Sequence, residues 1–195
     1  MKRLVVVFDF DGTLTTKDTL LEFIKFACGT RLFYIGFILH LHLLVLMKLN
    51  LYPNWKCKEK IFAWFFRGIP YSRFKQLGED FSLSAKRLLR ADVVNLLYKY
   101  LNTESRIYVV SASIEEWVLP LCRSIGIEYV LATKIEVDSH NNVTGRFLSK
   151  NCYGKEKVNR LLTMEPNREE YVLHAYGDSR GDREMLDFAD KGTLV

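Results

Sequence analysis

Short apolar runs alternate along much of the chain with segments of helical length. Five such runs are nearly continuous: 3–9, 106–111, 127–132, 171–177 and the closing "GTLV". Uninterrupted apolar character over so few residues is typical of parallel strands buried on both faces. Helix-length segments at 113–126 and 155–164 lie between these runs, so the pattern predicts an α/β fold with a Rossmann-like parallel sheet. Residues 134–148 differ, because two alternating arms around Asn141-Asn142 predict a β-hairpin.

The connection between the first two predicted strands is unusually long. It runs for about ninety residues, far beyond the length of one crossover helix, and has helical character almost throughout. We therefore predict a core made of residues 1–16 and 103–195. The helical cap of residues 17–102 is inserted after the first strand, over the strand ends where α/β proteins place their sites.

Within the cap, residues 32–47 carry no formal charge. A helix of that length spans about 24 Å, less than the roughly 30 Å hydrocarbon core of a bilayer, so a transmembrane span is disfavoured. We expect a buried cap helix, with an interfacial, membrane-contacting segment as the alternative. His40 and His42 lie on different faces of such a helix, which disfavours a shared metal site.

Composition and charge narrow the class of protein. The chain has 195 residues, of which 49% are hydrophobic, and this is enough for one domain with a substantial core. Its net charge is +5, yet residues 54–90 alone carry +6, from nine Lys and Arg against three acids. Such a segment attracts anionic partners such as phosphates, nucleic acid or acidic lipid headgroups, or is a solvated helix face.

The four cysteines are scattered, without a CxxC pair or a zinc spacing. This pattern predicts reduced thiols and a cytoplasmic location. No signal peptide is expected, because Met1-Lys2-Arg3 leads directly into the first strand. A peripheral position at the inner face of a membrane is the alternative that the apolar cap segment suggests.

Polar residues follow the predicted strands at the points where they end. They are Asp9 and Asp11 after the first strand, Ser111 after the second, Asp178 and Asp182 after 171–177, and Lys157 at a helix start. The carboxyl ends of parallel strands meet at one edge of a sheet, so these groups are expected to converge. Unpaired carboxylates repel each other, and a hard divalent cation relieves the repulsion. Carboxylates without histidines favour Mg²⁺ over zinc.

Four segments, "DFDGTLT", "VVSAS", "GKEKV" and "GDSRGD", resemble in this order the four motifs of the haloacid dehalogenase-like superfamily. The resemblance covers the chain from Leu4 to Leu186. The long helical insertion resembles subfamily IB, which contains phosphoserine phosphatases and a class of phosphatidylglycerophosphatases. The resemblance implies a Mg²⁺-dependent phosphatase that hydrolyses a phosphomonoester through an aspartyl-phosphate. Its partner would be a small phosphorylated substrate, with a lipid among the candidates, and no nucleic acid.

The resemblance also implies a role for each motif residue. Asp9 would be the nucleophile, and Asp11 the general acid and base that protonates the leaving group and then activates water. Ser111 and Lys157 would bind the phosphoryl oxygens. Lys155 is the alternative to Lys157, although the family pattern favours the lysine directly before the valine.

The metal ligands implied by the resemblance are Asp9, the backbone carbonyl of Asp11, and Asp178. Asp182 would orient a metal-bound water or the lysine. Without the other motifs, Asp182 would be interpreted as a helix N-cap.

Three departures from the phosphoserine phosphatase pattern weaken the assignment of that substrate. Asp18 stands where those enzymes carry a glutamate that contacts the substrate amine, and it is equally well explained as a helix N-cap. The second motif has Ser111-Ala112-Ser113 instead of Ser-Gly-Gly, and the fourth has "GDSRGD" instead of "GDGxND".

The substrate is therefore left open between a lipid phosphate, such as phosphatidylglycerophosphate, and a small phosphometabolite, with phosphoserine as the alternative. A non-catalytic module that binds membranes or anions through the basic cap is the hypothesis of another class. The oligomeric state is left open as well.

Overall fold

The structure is a computed structural model and describes residues 2–195. The strands of its main sheet are β1 (Arg3–Phe8), β2 (Arg106–Ile114), β3 (Tyr129–Thr133), β6 (Tyr171–Gly177) and β7 (Lys191–Leu194). They are parallel and lie in the order β3-β2-β1-β6-β7, so that the apolar run β1 is central. This sheet confirms the predicted Rossmann-like α/β fold.

The chain between β1 and β2 is helical, as predicted. Its α-helices are α1 (Thr19–Leu39), α2 (Leu41–Lys48), α3 (Asn54–Phe66), α4 (Tyr71–Ala85) and α5 (Ala91–Leu101). The two segments that connect α1–α4 to the sheet run side by side. The Thr16 amide donates to the Leu88 carbonyl at 2.7 Å, and the Arg90 amide donates to the Leu14 carbonyl at 2.9 Å.

Helix α5 contacts the sheet directly. The Tyr100 hydroxyl lies 2.6 Å from the hydroxyl of Tyr176 on β6, and the Tyr100 ring meets Phe8 edge to face. The division into core and cap stays a prediction, with α5 on the cap side of the predicted boundary but packed on the core sheet.

Alternate residues of β1 pack on opposite faces of the sheet. Val6 and Phe8 belong to a core shared with α5 and α6 (Glu115–Arg123), whereas Val5 and Val7 pack with α7 (Lys155–Met164) and α8 (Arg183–Phe188). These four side chains are fully buried. A strand with helices on both faces has no solvent side, which explains why its apolar run is continuous.

The uncharged segment 32–47 is not one buried helix, so that prediction is wrong. Helix α1 ends at Leu39 and α2 begins at Leu41, and the two are bent by 61°. None of α2 is buried, because it has protein neighbours on only one side. Across residues 2–195 no single helix is long and apolar enough to cross a bilayer, although α1 and α2 together pass by length and composition.

The predicted hairpin is present as β4 (Ile135–Val137) and β5 (Val143–Phe147), which are antiparallel. Asn141 at its turn has φ 59°, a left-handed conformation that asparagine tolerates. The hairpin rests on α3, where Gly145 lies so close to Ala63 that a Cβ would come within 2.6 Å of the alanine Cβ. It therefore links the sheet to the helical insertion.

Candidate active site

The ends of β1 and β6 bring two carboxylates together, as predicted from their places in the sequence. Phe8 and Tyr176 are paired in the sheet, and the Asp9 amide donates to the Tyr176 carbonyl at 2.8 Å. Asp178 follows β6. Each of Asp9, Asp178 and Asp182 offers an oxygen, and these three oxygens all lie within 4.8 Å of one another.

Lys157 lies between two of these acids. Its Nζ donates to both Asp9 and Asp182, and its side chain is 3% exposed. Burial works against the lysine's charge, but Asp9 and Asp182 outweigh it and raise the pKa of Lys157 above its ordinary value. Lys155, the alternative candidate, is exposed at the start of the same helix. The geometry thus brings Lys157, and not Lys155, to Asp9.

Asp9 is 6% exposed and has little access to water. Burial raises the pKa of its carboxyl to about 7, while the neighbouring Lys157 opposes the shift. Additional positive charge beside Asp9 would favour its ionised form further.

Asp182 holds the loop after β6. One of its oxygens accepts from Lys157, and the other accepts from the Ser179 hydroxyl at 2.7 Å and the Ser179 amide at 3.0 Å. It also lies 3.3 Å from the Asp178 amide. Burial disfavours its charge, but Lys157 and Ser179 outweigh this and lower the pKa of Asp182. Both carboxylate oxygens of Asp182 accept hydrogen bonds from protein donors, so Asp182 supports the site by holding Lys157 and Ser179 in place.

The turn after Asp11 is shaped by Gly12 and Thr13. Gly12 has φ +87°, and a Cβ there would come within 2.2 Å of the Asp178 carboxylate. The buried Thr13 hydroxyl lies 3.2 Å from an oxygen of Asp9 and 3.2 Å from an oxygen of Asp178. Thr13 was not predicted as a site residue, because its contact with both carboxylates depends on how β1 and β6 pair.

Asp11 faces a different set of partners. Thr19 at the start of α1 donates to it from its amide at 2.7 Å and from its hydroxyl at 2.6 Å, and the Ser113 hydroxyl donates to the other oxygen. The Trp117 indole in turn donates to the Thr19 hydroxyl at 3.1 Å. Burial raises the pKa of Asp11, and nearby Asp18 adds to the shift, while the hydroxyl donors oppose it.

Thr19 and Ser113 were not identified from the sequence. Ser113 stands two residues after Ser111 on β2, and this spacing puts both on one face of a strand, which was the available signal. Thr19 carried no such signal.

Ser111 is fully buried at the sheet edge. Its hydroxyl oxygen accepts from the Ser113 amide at 2.9 Å, and the hydrogen bonds of residues 2–195 leave its own proton unused. Asp18 is the N-cap of α1, accepting from the amides of Leu20 and Leu21. The N-cap interpretation of Asp18 therefore holds. Asp18 also borders a cavity beside Asp9, and a substrate contact there stays a prediction.

A cavity of about 310 Å³ lies beside the carboxylates. Its polar lining includes Asp9, Asp11, Lys157, Ser179 and Asn151. Its apolar lining comes from α1, α2 and α3 and consists of Leu20, Leu21, Phe37, Leu44, Met47 and Ile61. The cavity is therefore polar on the side of the sheet edge and apolar on the side of the helical insertion.

Two further polar residues of the cavity were not predicted as site residues. Lys58 on α3 donates to the Ala112 carbonyl at 2.8 Å, which joins the insertion to the end of β2. The side-chain oxygen of Asn151 is buried and finds no hydrogen-bond partner within residues 2–195. An amide in that state is suited to a ligand that donates a hydrogen bond.

The donor set fits a hard divalent cation. Asp9 and Asp178 supply carboxylate oxygens at one place, and among residues 2–195 the only nitrogen group that contacts either carboxylate is the ammonium of Lys157, which contacts Asp9. Oxygen donors of this kind suit Mg²⁺. A cation here would also relieve the repulsion between Asp9 and Asp178.

Comparison with known proteins places the chain in a family. The sequence model of the haloacid dehalogenase-like hydrolases matches residues 6–187. Protein CicA of Caulobacter vibrioides is 31% identical over 189 residues, which is 96% of this chain and 84% of CicA.

Solved structures share the fold at lower identity. A protein of unknown function from Bordetella pertussis has a TM-score of 0.81 at 18% identity, over 97% of this chain and 88% of that one. A phosphoserine phosphatase, solved as an analogue of its phospho-aspartyl intermediate, has a TM-score of 0.64 at 19% identity, over 97% and 84%. The extent of the sequence match establishes that the chain belongs to the haloacid dehalogenase-like hydrolases.

Proposed function

We propose that this chain is a Mg²⁺-dependent phosphatase that hydrolyses a phosphomonoester through an aspartyl-phosphate on Asp9. The observation that carries the proposal is the contrast between two neighbouring carboxylates. Asp9 contacts Lys157 and lies beside Asp178, whereas Asp11 is held by the hydroxyls of Thr19 and Ser113. Both acids border the same cavity, and groups in such different surroundings are suited to different roles.

In the first step, a carboxylate oxygen of Asp9 forms a bond to phosphorus, and the bond from phosphorus to the substrate oxygen breaks. Asp11 enters this step protonated, as its raised pKa favours, and gives its proton to the departing alkoxide. An alcohol leaves, and Asp11 is left ionised.

In the second step, Asp11 takes a proton from water as the water oxygen bonds to phosphorus. The bond between phosphorus and Asp9 breaks, releasing inorganic phosphate and restoring the Asp9 carboxylate. Asp11 is then protonated again, and the cycle is balanced.

The remaining residues position these groups. Lys157 and the free hydroxyl proton of Ser111 would bind phosphoryl oxygens, and Asp182 keeps Lys157 and the loop after β6 in place. The cation would be held by Asp9, Asp178 and the Asp11 carbonyl. When bound, it supplies positive charge that favours ionised Asp9 and neutralises the phosphoryl group.

The cavity favours an amphiphilic phosphomonoester as substrate. Its carboxylate side suits a phosphate group, and the apolar residues from α1, α2 and α3 suit an acyl or other apolar chain. A lipid phosphate such as phosphatidylglycerophosphate is therefore the first candidate.

Phosphoserine is the second candidate and is favoured by one observation, the acid Asp18 at the edge of the cavity. The structural similarity to a phosphoserine phosphatase adds support for the fold, and the substrate is a separate question.

The test of the reaction is hydrolysis of a generic aryl phosphate with Mg²⁺ and with EDTA. We expect turnover that requires Mg²⁺ and falls at least about 10³-fold in both Asp9→Asn and Asp11→Asn. Asp138→Asn, at an exposed hairpin position, is the matched control and should keep full activity. If the unaltered protein shows no turnover above that of Asp9→Asn, the proposal is overturned and the non-catalytic anion-binding module is left.

A phosphometabolite panel then addresses the substrate. Short-chain phosphatidylglycerophosphate should be preferred over phosphoserine in kcat/KM. The opposite order would assign the cavity to the amino acid ester and Asp18 to its ammonium.

A further inference from the structure

The exposed apolar side chains of the molecule are concentrated in one part of the helical insertion. Among residues 2–195, twenty large hydrophobic residues are exposed, and thirteen of them lie between Phe26 and Trp64. Six of them form what we call the apolar tip: Tyr34, Ile35 and Ile38 on α1, Leu41 and Val45 on α2, and Leu49 just after α2. Ile38 is 68% exposed and Leu41 is 57% exposed, values that single surface hydrophobics reach but that rarely occur in a cluster.

Helix geometry puts the apolar tip on the outer side of these helices. Leu41, Val45 and Leu49 follow each other at a spacing of four along and just beyond α2, so they share one face. Leu44 and Met47 lie on the other side, where they pack on the core and line the cavity. The same two helices therefore have one apolar side facing the cavity and another facing solvent.

The stretch of sequence that carries the apolar tip has charges of a single sign. From residue 23 to residue 58 the sequence contains no Asp or Glu, but it contains Lys25, Arg31, Lys48, Lys56 and Lys58. Arg31, Lys48 and Lys56 are exposed. An apolar face bordered by cations and free of acids is complementary to a surface with an apolar interior and anionic headgroups.

A second copy of the chain is a poorer occupant. A two-fold symmetric contact through this face would set identical cationic segments against each other without an acid from the same stretch to pair with them.

We propose that the apolar tip docks this protein on the surface of an anionic bilayer. The outer faces of α1 and α2 enter the headgroup region, and Arg31, Lys48 and Lys56 contact the lipid phosphates. This surface is separate from the residues of the reaction, and the binding it predicts does not depend on turnover.

Sedimentation with vesicles tests the docking surface on the full chain. We expect binding to vesicles of phosphatidylcholine and phosphatidylglycerol, with much weaker binding to phosphatidylcholine alone. The triple variant Ile38→Gln, Leu41→Gln, Val45→Gln should bind the anionic vesicles at least about tenfold more weakly. Hydrolysis of a soluble aryl phosphate should be unchanged in this variant, which shows that it is folded.

The matched control is the double variant Leu83→Gln, Leu194→Gln. These side chains are 67% and 70% exposed, and both lie outside residues 23–58, the stretch without acids. Control protein should bind vesicles like the unaltered chain. Equal binding by the triple variant, or no vesicle binding at low salt by the unaltered protein, would overturn the proposal.

Tryptophan fluorescence gives an independent measurement. Trp64 is 38% exposed and its ring lies 6.2 Å from that of His40, at the junction of α1 and α2, whereas Trp117 is buried. Lipids brominated near the headgroup should quench Trp64 emission in a Trp55→Phe background. Light scattering tests self-association as the alternative. If the unaltered protein forms a dimer that the triple variant abolishes, and does not bind vesicles, the face is assigned to self-association instead.

Discussion

At the scale of single residues, the site depends on contacts that give similar side chains different surroundings. Asp9 and Asp11 are two residues apart, yet one contacts a buried lysine and the other accepts from hydroxyl and amide donors. Asp182 would be an ordinary N-cap in isolation, and here it also contacts Lys157. The arrangement requires glycine at position 12, because the Asp178 carboxylate occupies the place where a Cβ would lie.

Replacement of Gly12 by alanine tests that requirement. We expect Gly12→Ala to displace Asp178 and reduce turnover of an aryl phosphate by about 10²-fold, since shifts of about 1 Å in a site have effects of that size. Gly29→Ala is the control, because Gly29 also has a positive φ but nothing lies within 4 Å of an added Cβ. If both variants lose activity equally, backbone strain and not the contact with Asp178 is responsible.

At the scale of helices and strands, the strands, the hairpin and the helices of the core were predicted from the apolar pattern, whereas the exposure of residues 32–47 was not. β1 and β6 were predictable because burial on both faces makes nearly every position apolar. The convergence of Asp9, Asp178 and Asp182 followed from the parallel sheet. Residues 32–47 were misassigned because apolar composition does not say whether a helix finds neighbours on one side or on all.

The partners of Asp11 were missed for a related reason. Hydroxyl residues are common at strand ends and helix starts, so Thr19 and Ser113 are recognised only when the fold brings α1 and β2 together. The same holds for Lys58, which sequence reasoning counted only within a basic stretch.

The contact between the hairpin and α3 gives a prediction about stability. Gly145→Ala should lower the free energy of unfolding by about 2–3 kcal/mol, because the new methyl group would overlap Ala63 and Gly145 has φ +85°. Gly68→Ala shares the positive φ but has open space, so about 1 kcal/mol is expected there. Urea unfolding measures both, and equal losses would contradict a close contact between the hairpin and α3.

At the scale of the whole molecule, buried acids lie at both ends of the sheet. Opposite the edge with the candidate site, Glu165 accepts from Arg3 and Arg106 at the starts of β1 and β2, and from the Tyr108 hydroxyl at 2.6 Å. Burial disfavours its charge, but these donors outweigh it and lower the pKa of Glu165. This cluster joins the end of α7 to the two strands that carry the site at their far ends.

The lowered pKa of Glu165 determines how the stability of the fold changes with pH. Ionised Glu165 stabilises the fold above its ordinary pKa of 4.5, and this contribution disappears as the pH falls through the lower value of the folded state. Glu165→Gln should therefore cost about 1–2 kcal/mol at pH 7, a figure discounted because both arginines are partly exposed. The difference from the unaltered protein should narrow below pH 4.5. Denaturant unfolding at a series of pH values across this range measures the difference, and Glu169→Gln, at an exposed position, is the control. A difference in free energy of unfolding between Glu165→Gln and the unaltered protein that stays constant with pH would contradict the role of ionised Glu165.

The side-by-side segments that connect α1–α4 to the sheet have a consequence for how such proteins diversify. The chain leaves the sheet and returns to it at points joined by backbone hydrogen bonds, from Thr16 to Leu88 and from Arg90 to Leu14. Everything between those points is topologically a cassette, which can be lengthened, shortened or exchanged without moving β1 or β2. Substrate preference can then change while Asp9 and Asp11 stay in place, since most of the cavity's apolar lining belongs to the exchangeable piece and the two carboxylates do not. Thr19 is the residue that such an exchange has to keep, because it holds Asp11.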